Sequence, residues 1–110
     1  MAIWKTRPID EVHEVVLVRW KVFETERGEC HFVGTRPGRG TGRVSSAIVE
    51  FDARTCVGVT RSGRRYVLEG APGTSLEGEV TWAGWCQVNR VASYRDVTDE
   101  SLVGGAGETT

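Results

Sequence analysis

The first two thirds of the chain alternate apolar and polar residues in short runs separated by turn residues. Residues 14–25 alternate most clearly, with charged Arg19 and Lys21 between apolar positions. The residues predicted to share the buried face of this first strand are Val16, Val18, Trp20 and Val22. A period of two is typical of a strand with one face in the core, so a sheet is predicted to begin here.

Four further strands follow in the pattern. They are predicted at residues 30–35, 43–52, 56–61 and 64–69. The second strand forms a hairpin with the first and points Phe32 inward, and residues 36–42 form a loop because they are rich in Gly and Pro. Residues 43–52 carry apolar side chains on both faces, with Ala47, Val49 and Phe51 on one of them, which indicates a central strand. Ser62-Gly63 predicts a tight turn between the last two strands.

A helix is predicted after the sheet. Thr74 with Glu77 resembles a capping box, and the helix is predicted to run to about residue 91. The stripe predicted to lie on the sheet comprises Trp82, Trp85, Val88, Asn89 and Ala92. Gly78 and Gly84 each weaken a helix by about 1 kcal/mol relative to Ala, so packing on the sheet must supply much of its stability.

These elements predict an α+β fold: a five-stranded antiparallel sheet, able to curl toward a small barrel, with one C-terminal helix. A chain of 110 residues has room for one domain, placed at residues 1–95. Residues 1–12 are a lead-in interrupted by Pro8. Residues 96–110 are acidic and Gly-rich, which predicts a flexible tail.

The formal net charge of −1 conceals an asymmetry along the chain. Residues 1–95 hold all 14 Lys and Arg against 11 acids, about +3, whereas residues 96–110 hold four acids and no base. Twelve of the 14 basic residues are Arg, whose guanidinium suits bidentate contacts to carboxylate or phosphate. A body charge of +3 is too small for the dense phosphate contacts of a dedicated duplex-DNA binder.

Compartment is predicted from cysteine usage and hydropathy. The chain has an odd number of cysteines, Cys30, Cys56 and Cys86, and no secretory signal precedes them. Both observations predict reduced thiols in the cytoplasm. The longest apolar run, residues 15–18, is far too short to span a bilayer, so no membrane association is expected.

No complete catalytic or cofactor motif is present in the sequence. Gly38, Gly40 and Gly42 suggest a phosphate loop, but no Lys-Ser/Thr follows and a strand is predicted after them. The cysteines are 26 and 30 residues apart, unlike the close pairs of zinc sites. No Gly-x-Ser-x-Gly elbow presents a nucleophile to His13 or His31. We therefore expect no metal, no cofactor and no catalytic residue.

The candidate contact residues are basic positions in two loops, with one aromatic neighbour. They are Arg36, Arg39, Arg43, Arg61, Arg64, Arg65 and Tyr66. If both loops lie at one end of the sheet, they form a cationic rim able to meet an acidic protein, RNA or single-stranded DNA. The alternative is a solvated edge that prevents strand-to-strand aggregation. Trp4 and Trp20 belong either to the core or to an interface.

Part of the chain resembles a known group of proteins. The residues that carry the resemblance are His31-Phe-Val-Gly34, Gly42-Arg-Val-Ser-Ser-Ala-Ile-Val49, Phe51-Asp52, Thr60-x-Ser62-Gly63-Arg64, Tyr66-x-Leu68, Gly70-x-Pro72-Gly73 and Trp82-x-x-Trp85-Cys86. This pattern, over about residues 18–92, resembles small bacterial proteins of unknown activity that are associated with mobile elements. The resemblance implies a binding role, for which inhibition of a host-defence system such as a CRISPR complex is one form.

The sequence thus predicts a non-enzymatic cytosolic protein that binds a protein or nucleoprotein complex through the arginine-bearing loops and acts by occlusion. A module for RNA or single-stranded DNA is the second hypothesis, using the same arginines with Tyr66. A small enzyme is the third. The oligomeric state is left open by the sequence.

Overall fold

A computed structural model describes residues 14–107 of the chain, with the side chains of residues 14–103. Trp4, His13 and the lead-in predicted for residues 1–12 lie outside the described residues. The elements in chain order are β1 (Glu14–Thr25), β2 (Cys30–Arg36), β3 (Thr41–Val44), β4 (Ile48–Asp52), β5 (Val57–Thr60), β6 (Arg65–Glu69), α1 (Leu76–Val88), β7 (Tyr94–Asp96) and α2 (Thr98–Gly107).

The strands form one mixed, open sheet in the order β3-β2-β1-β6-β5-β4, with β7 paired to the end of β1. The predicted α+β class is confirmed, but five strands and a purely antiparallel sheet are wrong. β1 and β6 run parallel, with Glu14 opposite Arg65 and Val18 opposite Glu69. Alternation of apolar residues reveals which face of a strand is buried and not the direction of its neighbour, so the pattern held no sign of this pairing.

The predicted third strand is two strands that belong to opposite edges of the sheet. Ser45 ends the first, because its backbone N–H donates to the Phe32 carbonyl and its hydroxyl accepts from the Phe32 N–H, both at 2.9 Å. The central position predicted for residues 43–52 is therefore wrong. Val44 and Ile48 are four residues apart, about 14 Å at full extension, so the two edges must curve toward each other. The sheet nevertheless stays open and forms no closed barrel.

Two β-bulges explain why the predicted buried faces are only partly correct. In β1 the register changes between Val18 and Lys21, and Arg19 adopts a φ of 49°. The extra residue inverts the alternation, so the strand's residues in the main core cluster are Val15 and Leu17 before it, and Trp20 and Val22 after it, while Phe23 is buried on the opposite face. The expectation that Val16 and Val18 face the core is thus wrong. In β4 a second irregularity leaves Val49 60% exposed.

The sheet buries both of its faces. On one face Phe32 of β2 contacts Phe51 of β4 and Tyr66 of β6, with ring centroids 5.5 and 5.6 Å apart. Rings from strands so distant in the sheet can meet only across its concave side. This concave core comprises Val15, Leu17, Trp20, Val22, Phe32, Tyr66, Leu68 and Val97. The convex face packs against α1 through Phe23, Val33 and Trp82.

α1 is shorter than predicted and begins with a different cap. Ser75, not Thr74, is the N-cap, and its hydroxyl accepts from the Gly78 N–H at 2.8 Å. The helix ends at Val88, where the Arg27 guanidinium donates to the Asn89 carbonyl at 2.7 Å. Of the predicted stripe, Trp82 is buried and Trp85 packs beside it, but Val88 is 81% exposed and so is wrongly placed.

The segment predicted to be a flexible tail from residue 96 contributes to the fold. β7 pairs with β1, the Val97 N–H donates to the Val22 carbonyl at 2.8 Å, and Leu102 of α2 packs against the concave core. The Thr98 hydroxyl, which accepts from the Val22 N–H at 2.9 Å, holds this acidic segment to the sheet together with Val97 and Leu102. Neither helix within residues 14–107 is long and apolar enough to cross a membrane.

Candidate functional site

Three of the predicted contact residues come together on the β2–β3 hairpin. Arg36 ends β2, Arg39 lies in the turn and Arg43 lies on β3; we call these three residues the cationic cluster. The turn is tight, because the Arg36 carbonyl accepts from the N–H groups of Arg39 and Gly40 at 3.2 and 3.0 Å. Gly38 and Gly40 adopt positive φ values, 83° and 68°, which glycine accommodates without strain. Local turn chemistry thus sets the spacing of the three guanidiniums.

Tyr66 holds one of the three arginines in place. The Arg43 Nε donates to the Tyr66 hydroxyl at 3.2 Å. β3 and β6 are separated by two strands, about 14 Å in a flat sheet, so the curvature of the sheet makes this contact possible. Within residues 14–107 the two terminal nitrogens of Arg43 make no hydrogen bond or ion pair, so their N–H groups are available to a partner while Nε anchors the side chain.

The three charges also act on each other. Burial lowers the pKa of the Arg36 guanidinium, and the neighbouring charges of Arg39 and Arg43 lower it further. No carboxylate of the described residues forms an ion pair with any of the three. Like charges held together without a counter-charge repel, and a bound anion relieves that repulsion. The cluster is therefore suited to contact carboxylate or phosphate groups.

The other predicted contact residues have different surroundings. Arg61 forms an ion pair with Glu29 in the β1–β2 turn, and Arg65 forms one with Glu14 at 3.6 Å. Arg64 is half-buried beside Gly63, and its carbonyl accepts from the Thr60 N–H at 3.0 Å. Tyr66 is 1% exposed, so its ring is not a surface for stacking. The structure therefore groups the arginines of the first loop with Tyr66, whereas Arg61 and Arg65 form ion pairs with acidic residues elsewhere on the surface.

A separate cavity of about 390 Å³ opens between β4, the β1–β2 turn and α2. Its wall combines apolar residues, including Val22, Ile48 and Phe51, with polar ones, among them the ion-paired Glu29 and Arg61. Cys30 also lines it. Burial and the charge of Glu24 raise the pKa of the Cys30 thiol, so it stays protonated and is a poor nucleophile.

His31 and Trp82 meet on the convex side, beneath α1. The His31 Nδ1 lies 2.8 Å from the Ser45 carbonyl and must donate to it, which leaves Nε2 as an acceptor. Two buried side-chain nitrogens in the described part of the chain lack a hydrogen-bond partner, and they are His31 Nε2 and Trp82 Nε1. Trp85 packs on the imidazole with centroids 4.5 Å apart. His31 is therefore a neutral core residue.

This histidine predicts a pH dependence of stability. Burial lowers the pKa of His31 below its usual value of 6.5. Below pH 6.5 the unfolded chain binds a proton that the folded chain does not, so the free energy of unfolding falls, by at most about 1.4 kcal/mol per pH unit. The decline begins at pH 6.5 and ends at the lower pKa of the folded state. Denaturant unfolding at pH 7.5, 6 and 5 measures it.

His31→Asn is the matched variant, because its amide can still donate to the Ser45 carbonyl but does not titrate. It is expected to be less stable at every pH and to lose the decline between pH 6.5 and 5. Glu26 and Glu29, whose pKa values are lowered from 4.5, lose their contribution only at more acidic pH. A decline that persists unchanged in His31→Asn would assign it to another group.

The sequence pattern missed one feature of the surface, an apolar face of α1 that points away from the sheet. Leu76, Val80 and Val88 are 73%, 64% and 81% exposed. Their spacing of four and eight residues was visible in the sequence. The predicted buried stripe was nevertheless placed on the other side of the helix, because Trp82 and Trp85 lie there.

Chemically, the cationic cluster offers positioned guanidinium donors to an anion. No group of three His, Cys, Asp or Glu within residues 14–107 is arranged to hold a metal ion. The comparisons with known proteins return no similarity: no family model, no curated protein and no solved structure matches this chain.

Proposed function

We propose that this protein is a non-enzymatic binding protein whose cationic cluster contacts an acidic surface of a protein or nucleoprotein partner. The observation that supports this most directly is the Tyr66-anchored Arg43. A buried hydroxyl fixes its guanidinium, while Arg36 and Arg39 add two further charges on the same hairpin. A preorganised arginine loses less entropy on binding than a free one, and arginines are enriched at the energetic centres of interfaces.

The geometry favours a protein surface over a nucleic-acid strand. Binding of a single strand needs a basic groove that follows the backbone and exposed aromatic rings that stack on bases. Here Arg61 and Arg65 are paired with Glu29 and Glu14, and Tyr66 is buried. Three guanidiniums in one hairpin match a small group of carboxylates, or a few phosphates of a nucleoprotein, better than a long phosphate chain.

The resemblance to proteins associated with mobile elements suggests which kind of partner the protein binds. That partner would be a host-defence complex, which the protein inhibits by covering a surface that the complex needs. Occlusion requires only that the protein bind its partner and cover enough of the partner's surface. A contact made by a hairpin on a rigid sheet can meet both requirements. The cytoplasm is the compartment in which such a partner would be met.

Affinity capture from the native cytoplasm tests the proposal. The tagged full chain is used as bait, and captured proteins and nucleic acids are identified by mass spectrometry and sequencing. The double variant Arg36→Glu/Arg39→Glu is expected to lose at least 90% of the captured partner, because two attractive contacts become repulsive. Its thermal midpoint should change by no more than about 2 °C, since Arg39 is exposed, Arg36 is only half-buried, and neither forms an ion pair with a described residue.

Arg54→Glu is the matched control, because Arg54 is an exposed arginine in the β4–β5 turn, away from the hairpin. It should capture the partner as the wild type does. Arg64→Glu tests whether the second turn also belongs to the contact surface. Undiminished capture by Arg36→Glu/Arg39→Glu would overturn the choice of surface, and capture of nucleic acid alone, lost at high salt, would favour the nucleic-acid module.

A further inference from the structure

α1 presents an apolar surface to solvent along its whole length. We define the outer face of α1 by its residues Leu76, Val80, Ala83, Gly84 and Val88. All five are exposed, and four of them follow a spacing of four residues, which forms one ridge along the helix. Trp82, on the opposite side, packs the helix on the sheet. A helix apolar on both sides is expected when both sides are buried.

Gly84 has no role within the described fold. It lies in the middle of α1 with ordinary helical backbone, and a Cβ added there would meet no atom within 4 Å. Glycine at such a position destabilises a helix by about 1 kcal/mol relative to alanine. Gly78 differs, because a Cβ there would collide with the Ser75 hydroxyl. Together with Ala83, Gly84 leaves a shallow midpoint on the ridge, where another helix could approach closely.

The charges beside the outer face change sign from one end of α1 to the other. Glu77 and Glu79 lie in the first turn, and the helix contains no basic residue. Beyond its C-terminal end lies Arg90, and the Arg27 guanidinium is fixed there by the carbonyls of Asn89 and Arg90 at 2.7 and 3.0 Å. A surface that is acidic at one end and basic at the other is complementary to itself when it is turned through 180°.

We infer that the outer face of α1 is a homodimer interface, in which the α1 helices of two copies of this chain pack antiparallel about a two-fold axis near Ala83 and Gly84. Glu77 lies six residues before Ala83, and Arg90 lies six residues after Gly84. The axis therefore brings Glu77 of each copy toward Arg90 of the other and places the smallest side chains where the helices cross. Leu76 of each copy then lies near Val88 of the other copy, at the two ends of the ridge.

The dimer leaves the cationic cluster accessible. α1 covers the convex face of the sheet, whereas Arg43 reaches across the concave face to Tyr66, so the two surfaces lie on opposite sides. One helix of 13 residues per copy makes an interface near the small end of the known range. A dissociation constant of roughly 10–100 μM is therefore expected, and the dimer would form only at high protein concentration.

Sedimentation equilibrium of the full chain tests the inference. The mass should rise from 12.1 kDa toward twice that value as the protein concentration passes through the micromolar range. Val80→Lys and Gly84→Arg are each expected to raise the dissociation constant at least tenfold. Val49→Lys is the matched control, because Val49 is a valine of similar exposure, 60%, on β4, and it should leave the dimer intact. Circular dichroism spectra and thermal midpoints establish that each variant is folded.

A charge exchange tests the antiparallel arrangement separately. Glu77→Arg alone and Arg90→Glu alone should each weaken the dimer several-fold, and the double variant should restore it, because each pair is formed again with reversed sign. A wild-type chain that remains monomeric at about 1 mM, or a dimer unaffected by both Val80→Lys and Gly84→Arg, would overturn the inference. Failure of the double variant to recover would overturn the antiparallel geometry.

Discussion

Gly42→Ala is expected to lower the free energy of unfolding by about 3 kcal/mol, because β3 and α1 touch at this residue with no room for a side chain. A Cβ at residue 42 would lie closer than 3.0 Å to the Glu77 carbonyl and to the Thr81 hydroxyl. These two atoms are themselves joined by a hydrogen bond of 2.8 Å. Backbone of α1 would have to move away from β3, which also loosens Trp82.

Denaturant unfolding followed by circular dichroism measures this loss. Gly73→Ala is the matched control: it is also a single added methyl, but a Cβ at residue 73 meets no atom within 4 Å. Its effect is expected to stay within about 0.5 kcal/mol. Equal losses in the two variants would mean that α1 does not pack on Gly42 as the structure describes.

The predictable part of the fold is the part set by local chemistry. The first two strands were predicted to within a residue, because each carries a long run of β-branched and aromatic residues bounded by turn residues. Gly63, in the predicted tight turn, has a φ of 89°, and its N–H donates to the Thr60 carbonyl. Such turns depend on a few adjacent residues, so the sequence alone contains the signal.

The rest depends on contacts between distant residues. A bulge at Arg19 inverts the buried face of β1. Its φ of 49° could not be predicted, because arginine is not a residue that signals a positive φ. The break at Ser45 arises because Phe32, 13 residues earlier, binds its backbone and its hydroxyl. Alternation predicts one long strand because both pieces share the same period, although they pair at opposite edges of the sheet.

The same division holds for the candidate site. The clustering of Arg36, Arg39 and Arg43 could be predicted, because one hairpin carries all three. That Arg61 pairs with an acid and does not join the cationic cluster could not be predicted, since its partner Glu29 lies 32 residues away in the sequence. The neighbouring arginines predict that Tyr66 belongs to the contact surface, whereas its alternation with buried Leu68 indicates the core, where the structure has it. Its role as the anchor of Arg43 follows only from the curvature of the sheet.

Trp82→Ala is expected to lower the free energy of unfolding by about 4 kcal/mol. Trp82 is 1% exposed and is the centre of the contact between α1 and the sheet. Its ring lies 5.1 Å from that of Phe23 and 5.2 Å from those of Trp85 and Tyr94. Truncation to alanine removes these contacts together and leaves a cavity that a helix held by Gly42 cannot close. Denaturant unfolding measures the loss.

Trp82→Phe separates the packing of the ring from the cost of its N–H. The indole Nε1 is buried and, among the described residues, has no acceptor. An unpaired buried donor costs about 1–3 kcal/mol, and phenylalanine removes it while keeping an aromatic ring in the cluster. The loss is therefore expected to be below about 2 kcal/mol, less than half of that for alanine. Equal losses in the two variants would contradict a net cost of the buried N–H and would favour a hydrogen bond to it, for which His31 Nε2, the unpaired acceptor under the same helix, is a candidate.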